Sequence, residues 1–327
     1  MSKDSTINKI AVFTSGGDAP GMNACIRAVV RNATYHNIEV MGIMKGYEGM
    51  IDGEIIPMNS RTVSNIIHRG GTILKSARSK RFMDYEGRKK AFEHLKANAI
   101  DGVVAIGGDG TFRGAQVFSN EFNIPFIGLP GTIDNDLSGT DFTIGYDTAI
   151  NTAMEAIDKI RDTAAAHERL FFVEVMGRDA GFIALRCGIA SGAEDILIPE
   201  IETDLEALSQ KLGNKKHKDS MIVVVSEGDD AGDAFKISSY IRERHPEYDI
   251  RVTVLGHVQR GGSPTCMDRM LASRMGMEAV NALIDGKKNV MIGIINDKLH
   301  FTPFDSATKH HTRIKPYLKE MMEVLSI

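Results

Sequence analysis

Two aspartates lie two residues apart in Thr132-Ile133-Asp134-Asn135-Asp136, directly after Pro130-Gly131. In extended backbone, positions i and i+2 face the same side, so both carboxylates would point into one cleft. One could take a proton from a hydroxyl while the other helps hold a metal, the division of labour that phosphoryl transfer requires. The same five residues also read as an Asx-rich turn satisfying its own N–H groups. The company of arginines beside neighbouring strands favours chemistry.

Gly107-Gly108-Asp109-Gly110-Thr111 follows an apolar run and opens a helical pattern. Glycines let backbone approach phosphate oxygens, and a helix N-terminus supplies free N–H groups and a positive dipole end. Asp109 beside a phosphate would be repulsive unless Mg²⁺ lay between them. The bland reading is a tight turn with Asp109 as N-cap. Ser15-Gly16-Gly17-Asp18 repeats the arrangement, with Pro20 expected just inside the next helix. Gly70-Gly71-Thr72-Ile73-Leu74-Lys75-Ser76 lacks the second glycine of a P-loop, and Gly108, Gly110 and Gly114 miss GxGxxG spacing. Both absences count against a P-loop enzyme and a nicotinamide oxidoreductase.

Arg78, Arg169, Arg178, Arg251 and Arg260, with His257 close by, fall at or beside expected strand ends. Singly, each reads as solvated surface. Arg169 and Arg251 begin their strands whereas Arg178 and Arg260 follow theirs, so they belong to opposite sheet edges. A symmetric subunit contact would bring the two edges together around a phosphomonoester.

The elements that must position these groups repeat one pattern: a short β-branched run, a glycine-rich turn, an amphipathic helix. Strands are expected at 9–14, 102–106, 124–129, 169–175, 221–226 and 251–255. Helices are expected near 21–34, 111–119, 146–163, 180–190, 233–244 and 267–285. Non-alternating apolar strands separated by helices imply α/β architecture with parallel sheets covered on both faces. Ligands then collect outside the carboxyl ends of the strands, where all six turns sit.

The chain has 327 residues, enough for about two domains, with 43% hydrophobic and 25% charged residues. A net charge of −4 points to neither nucleic acid nor membrane, so an anionic ligand needs locally placed cations. Cys25, Cys187 and Cys266 form no CxxC pair, and no apolar run approaches a membrane span. MSKDSTINKI has no signal-like apolar region. A reducing cytoplasm is the expected compartment.

The segments SGGDAPGMNACIRAVVR (15–31), RGGTILKSAR (69–78), IGGDGT (106–111), GLPGTIDND (128–136), VEVMGRDAG (173–181) and VLGHVQRGGSP (254–264) together resemble the bacterial-type ATP-dependent 6-phosphofructokinases, in order and over essentially the whole chain. GGDG alone is unspecific, since NAD and lipid kinases carry similar loops. The resemblance implies Mg²⁺-dependent transfer from ATP to fructose 6-phosphate, in a homotetramer whose active sites are shared between subunits. It implies two Rossmann-like α/β/α sandwich domains with a chain crossing between them. Residues 1–144 with about 258–308 would form a larger ATP-binding domain, and 145–257 with about 309–327 a smaller sugar-phosphate domain.

By position, Asp134 would be the general base on the sugar 1-hydroxyl, with Thr132 and Arg178 assisting. Asp109 would be the magnesium-linked carboxylate, with Asp136 a second candidate. Gly17, Arg78, Ser79, Gly108, Gly110 and Thr111 would hold ATP. Thr132, Ile133, Met176, Gly177, Arg178, Glu227, His257, Val258, Gln259 and Arg260 would hold the sugar phosphate, with Arg169 and Arg251 reaching in from a neighbouring subunit. Arg27, Arg31, Arg161, Gly192, Ala193 and Glu194 match a site for ADP or phosphoenolpyruvate. That match is incomplete: Ser60 replaces an arginine, and Lys215-Lys216-His217-Lys218 aligns loosely. Arg27 and Arg31, as neighbours at i and i+4, also read simply as a solvated helix face. Pyrophosphate-using relatives carry aspartate at the position of Gly110 and lysine at that of Gly131. Glycine at both favours ATP over a pyrophosphate-dependent enzyme. Retention of Asp134 and Asp109 argues against a silent sugar-phosphate-binding regulator.

Overall fold

The computed structural model describes residues 7–214, 220–309 and 314–325. Contacts divide the chain into two units. One takes the chain to Ile133, then Leu137–Thr148 and the stretch from Arg260; the other takes Asp134–Asp136, Ala149–Gln259 and the C-terminal helix. The chain therefore changes unit inside the acidic loop, between Ile133 and Asp134.

The first unit runs β1 (Lys9–Thr14), α1 (Met22–Tyr35), β2 (Glu39–Ile43), α2 (Gly46–Asp52), β3 (Ile55–Met58), α3 (Tyr85–Ala97), β4 (Gly102–Gly107), α4 (Asp109–Phe122), β5 (Phe126–Pro130) and the first residues of α5 (Tyr146–Ala166). The second unit holds the rest of α5, then β6 (Leu170–Val175), α6 (Phe182–Ser191), β7 (Asp195–Leu197), α7 (Leu205–Gly213), β8 (Met221–Ser226), α8 (Ala234–Arg244) and β9 (Ile250–Val254). The chain then returns to the first unit for α9 (Cys266–Ile284), β10 (Val290–Ile295) and β11 (Lys298–Pro303), and ends with α10 (Pro316–Leu325) in the second.

The first sheet has the order β11-β10-β5-β4-β1-β2-β3 and the second β7-β8-β6-β9. β1, β2, β4, β5 and β10 run parallel, while β3 and β11 close the edges antiparallel. The second sheet is parallel throughout. β1 and β4 lie side by side and each is followed by a helix, so the strand order reverses between them. Such a switch point leaves a crevice at the carboxyl ends. Their interiors explain the unbroken apolar runs: every residue of β4 and of β8 is buried. On one face of the first sheet an aromatic stack, Phe13, Tyr47, Phe82 and Phe118, fills the core. The buried Tyr47 hydroxyl donates to the Thr111 carbonyl at 2.6 Å, fixing the first turn of α4.

Pro20 stands ahead of the helix rather than inside it. Gly21, with φ 105°, is the N-cap of α1, and a Cβ there would meet Ile144 at 2.7 Å. Among the described residues no helix is long and apolar enough to cross a membrane.

α9 starts on Thr265, whose side chain accepts from the Asp268 amide at 3.2 Å. Asp268 is fully buried. Burial pushes its carboxyl up to about 6, against hydrogen bonds from Thr148 and Gly145 that pull it down. A carboxyl that binds its proton more tightly folded than unfolded contributes most stability below pH ~4, and loses that contribution as pH rises through the folded value. The unfolding free energy of the wild type minus that of Asp268→Asn should therefore fall between pH 4 and 6 and stay level above pH ~7. Denaturant titrations across that range check it; a difference that grows with pH contradicts the expectation.

Candidate active site

In the first unit, the carboxyl ends of β1, β4 and β5 are stapled together. The Ser15 amide donates to the Ile106 carbonyl at 3.0 Å, and Gly131 donates to Gly107 at 3.0 Å. Gly107 must be glycine, because a Cβ would come within 2.4 Å of Thr111 Oγ1 and 2.6 Å of the Ser15 carbonyl. At Gly16, Gly108 and Gly110, by contrast, a Cβ would meet nothing within 4 Å. Open space in front of these backbones suits a polyphosphate lying against them.

Gly108 is the N-cap of α4 and offers no side-chain cap, so Asp109 is the first helical residue rather than the cap. Its carboxylate pairs with Arg113 one turn on, at 3.0 Å, and that arginine is largely exposed. The free N–H groups of this helix start, with an adjacent carboxylate, fit a magnesium-bound phosphate. Among the described residues no three His, Cys, Asp or Glu side chains form a metal cage; a magnesium ion held by one carboxylate together with waters and substrate phosphates needs none.

The Arg69–Arg78 segment is held by a residue that motif reading passes over. Buried Asn23 on α1 donates to the carbonyls of Arg69 and Gly70 at 3.0 and 3.1 Å and accepts from the Ile73 amide at 2.8 Å. Thr14 adds bonds to Thr72 Oγ1 and the Lys75 carbonyl at 2.9 and 2.8 Å. The Ser76 hydroxyl reaches the Gly16 carbonyl. Arg78 itself stays exposed, and Ser79 accepts from the Phe82 amide at 3.2 Å. No local signal in the sequence marks Asn23, because the backbone groups it holds lie 46 to 50 residues further on.

Arg260 belongs to this unit. Its Nη1 donates to the Asp18 carbonyl at 3.1 Å and lies where a Cβ on Gly17 would sit, 2.5 Å away. The structure thus brings Arg260 to the first glycine loop. On the other side of Gly131, a Cβ would press on Ile106 at 2.9 Å and Met22 at 3.1 Å. Glycine is required there by packing as well.

The second unit gathers the remaining groups at the carboxyl ends of β6 and β8. Asp134 and Asp136 are both buried. The loop is bent, not extended: Asn135 has φ 53°, so the i, i+2 argument for a common side fails there. Asn tolerates this left-handed conformation better than most residues. Arg178 Nε lies 3.6 Å from Asp134 Oδ2. Arg178 also has positive φ, 53°, after Gly177 at φ 150°. Glu227 fastens this backbone by accepting from the amides of Arg178 at 2.8 Å and Gly177 at 3.4 Å. Gln259 is fully buried and accepts from the Met176 amide at 2.9 Å, so it supports the loop from behind, while His257 and Val258 are exposed. Ile133 is fully buried and Thr132 partly so.

Arg169 and Arg251 share Asp249, at 2.6 and 3.0 Å, at the amino end of β6 and β9. The two arginines draw the Asp249 carboxyl below its usual range, chiefly through the Arg169 hydrogen bond. A six-residue strand is ~20 Å long, which separates them from Arg178 within their own sheet. Of the expected effector residues, Arg161 donates to the carbonyls of Ser191 and Gly192 at 2.6 and 3.2 Å, capping α6. Ala193 and Glu194 behind it are buried. Arg27 and Arg31 stand on α1 in the first unit, and burial, with Arg31 nearby, lowers the Arg27 guanidinium. Lys215–Lys218 lie outside the described residues.

A family model described as Phosphofructokinase matches residues 9–283. The chain is 57% identical over 321 residues to the ATP-dependent 6-phosphofructokinase of Cytophaga hutchinsonii, covering 97% of both chains. It is 55% identical over 323 residues to ATP-dependent 6-phosphofructokinase 1 of Thermus thermophilus, covering 98% of this chain and 100% of that one. Among solved structures it resembles phosphofructokinase from Saccharomyces cerevisiae, with TM-score 0.86 and 35% identity over 97% of this chain and 46% of the yeast chain. A pyrophosphate-dependent phosphofructokinase from Marinobacter aquaeolei shares the fold at TM-score 0.84 and 23% identity, over 98% of this chain and 91% of that one.

Asn23→Ala leaves two carbonyls and one amide of the Arg69–Ile73 turn without their partner. Loss of such bonds in a buried setting should cost about 1–3 kcal/mol in urea unfolding. Because the turn leads to Arg78 and Ser79, binding of a non-hydrolysable ATP analogue should weaken several-fold, by ~1 kcal/mol. Unchanged analogue binding in a folded variant would detach Asn23 from the nucleotide loop.

Proposed function

The chain belongs to the phosphofructokinase family and is an ATP-dependent kinase of fructose 6-phosphate; we propose that Asp134 is the general base of that reaction, taking the proton from the sugar 1-hydroxyl as it attacks the γ-phosphorus. The observation that carries this is the placement of the buried Asp134 carboxylate 3.6 Å from the Arg178 guanidinium at the carboxyl end of a parallel sheet. A base within reach of a hydroxyl contributes typically 10²–10⁴-fold. An arginine beside it supplies positive charge where the transferred phosphoryl group develops negative charge.

The first unit, on this reading, binds the nucleotide through the amides of Gly17, Gly108 and Gly110 and through Thr111, Arg78 and Ser79. Asp109, with Asp136 a second candidate, would hold Mg²⁺, which when bound screens the negative charge of the phosphates. The second unit binds the sugar phosphate around Met176–Arg178 and His257. Glu227 sets the backbone from which Arg178 projects. A homotetramer would let Arg169 and Arg251 act on the phosphate of a neighbouring subunit's substrate, since they occupy the opposite edge of their own sheet from Arg178. ADP or phosphoenolpyruvate would bind near Arg161, Arg27 and Arg31. The cytoplasm is the compartment that fits these substrates.

ATP as donor agrees with Gly110, where a side chain would project into the open space in front of α4. Gly110→Asp should lower kcat/KM for ATP by at least ~10-fold, as placing a carboxylate against phosphate does. Steady-state assays with ATP and with pyrophosphate read the result.

Asp134→Asn should lower turnover by at least ~10²-fold while fructose 6-phosphate still binds; near-normal turnover would remove the base from this residue. Arg169→Ala should raise the KM for fructose 6-phosphate by at least ~10-fold with little change for ATP, the loss expected for one charge-assisted phosphate contact. Equal effects on both substrates would rule out the phosphate clamp.

A further inference from the structure

Asp268 is fully buried on α9, and no step of the reaction above uses it. Its two carboxylate oxygens divide the start of α5 between them. Oδ1 accepts from the Gly145 amide at 2.8 Å, and Oδ2 accepts from the Thr148 amide at 2.8 Å and the Thr148 hydroxyl at 2.5 Å. The bonding is reciprocal. Thr265, which caps α9, donates its hydroxyl to Asp147 Oδ2 at 2.6 Å, and its amide donates to Thr148 Oγ1 at 3.1 Å. The start of α5 is thus capped by a side chain from α9, and the threonine that caps α9 is held in turn by two side chains of α5.

The clasp continues into the acidic loop. Gly145, at φ 103°, is the pivot: a Cβ there would meet Ala19 at 2.7 Å and the Pro20 carbonyl at 3.1 Å. One residue earlier, the Ile144 amide donates to the Pro130 carbonyl at 2.8 Å, and Ile144 bridges to Gly131 as a parallel pair. Thr143 Oγ1 donates to the Thr132 carbonyl at 2.6 Å. The carbonyls of Pro130 and Thr132 are therefore positioned by residues 143–144, and that stretch is anchored through Gly145 and Thr148 to Asp268.

We propose that Asp268 is a positioning residue for phosphoryl transfer, which clasps the start of α5 so that residues 143–145 hold the Pro130–Thr132 backbone in register. The proposal rests on assigning the Thr132–Asp136 loop to the chemistry. Asparagine at this position keeps the shape but presents an NH₂ to one set of donors, so one side of the clasp opens. Misplacing a catalytic segment by a fraction of an ångström to 1 Å lowers turnover up to ~10²-fold without removing a substrate contact.

The test compares wild type, D268N, Thr148→Val, the double variant and Asp134→Asn, assayed at 25 °C on protein shown by circular dichroism and cooperative urea unfolding to be folded. Expected are a kcat ~10-fold lower for D268N and ~3-fold lower for Thr148→Val, with KM for ATP within ~2-fold of wild type. The double variant should be no worse than D268N, because both changes open one clasp. A purely structural role would lower the unfolding midpoint and leave kcat of the folded enzyme alone. Wild-type kcat in folded D268N, or a fall shared equally with both Michaelis constants, overturns the proposal. Should D268N not fold, Thr148→Val carries the test, and wild-type kcat in it overturns the proposal. Loss of turnover in Asp134→Asn together with normal turnover in D268N sinks the positioning role alone; normal turnover in Asp134→Asn sinks the loop assignment as well.

Discussion

The hydrogen bond from the Ser15 amide to the Ile106 carbonyl ends the pairing of β1 with β4, and the arrangement of the first unit's glycine turns depends on it. It places two glycine turns side by side where the strand order reverses, each leading into a helix whose N-terminus faces outward. The closeness of that junction forbids a side chain at Gly107, while just beyond it Gly16, Gly108 and Gly110 face open space. Gly107 is glycine by steric exclusion and Gly16 by its left-handed φ of 85°, whereas Gly108 and Gly110 face open space under neither constraint. Only the last case leaves room for a ligand as the reason.

This distinction explains how much the sequence disclosed. The six glycine turns, the strands before them and the helices after them were legible because non-alternating apolar runs next to Gly and Asp have few other solutions in a soluble chain. β3 was not, since Pro57 in a four-residue edge strand reads as a breaker. β10 and β11 carry a signal of another kind: Asn296 and Asp297, both at positive φ, form a two-residue hairpin turn. For the acidic loop, alternation gave the wrong geometry, because a left-handed Asn135 cannot be read from it. Arg260 illustrates a further limit. Its motif runs straight on from Gln259, and nothing in it discloses that the guanidinium goes to the Asp18 carbonyl.

Asn23 and Asp268 were illegible for a common reason. Both are buried polar residues on helices, and each satisfies the backbone of a distant segment: Asn23 that of Arg69–Ile73, Asp268 that of Gly145 and Thr148. Burying such groups is unfavourable unless every donor and acceptor finds a partner. Their presence therefore reports a tertiary hydrogen-bond requirement, which has no local periodicity. A chain with net charge −4 that handles anions must concentrate its positive potential in amides and a few guanidinium groups. Turns that expose amides need such side-chain fasteners to keep their shape.

Arg178 shows the same logic carried to a single residue. A non-glycine residue with φ 53° is held in a sparsely populated conformation that relaxes unless its surroundings prevent it. Glu227 prevents it by accepting from the consecutive amides of Gly177 and Arg178, and the Arg178 carbonyl approaches Gly228 so closely that a Cβ there would clash with it. The backbone is thus fixed from two directions before any substrate arrives, and the side chain leaves it toward Asp134. Since the free energy of ordering this loop is expended in folding, it need not be drawn from the binding of any ligand, and the guanidinium is held beside the buried Asp134 carboxylate in advance.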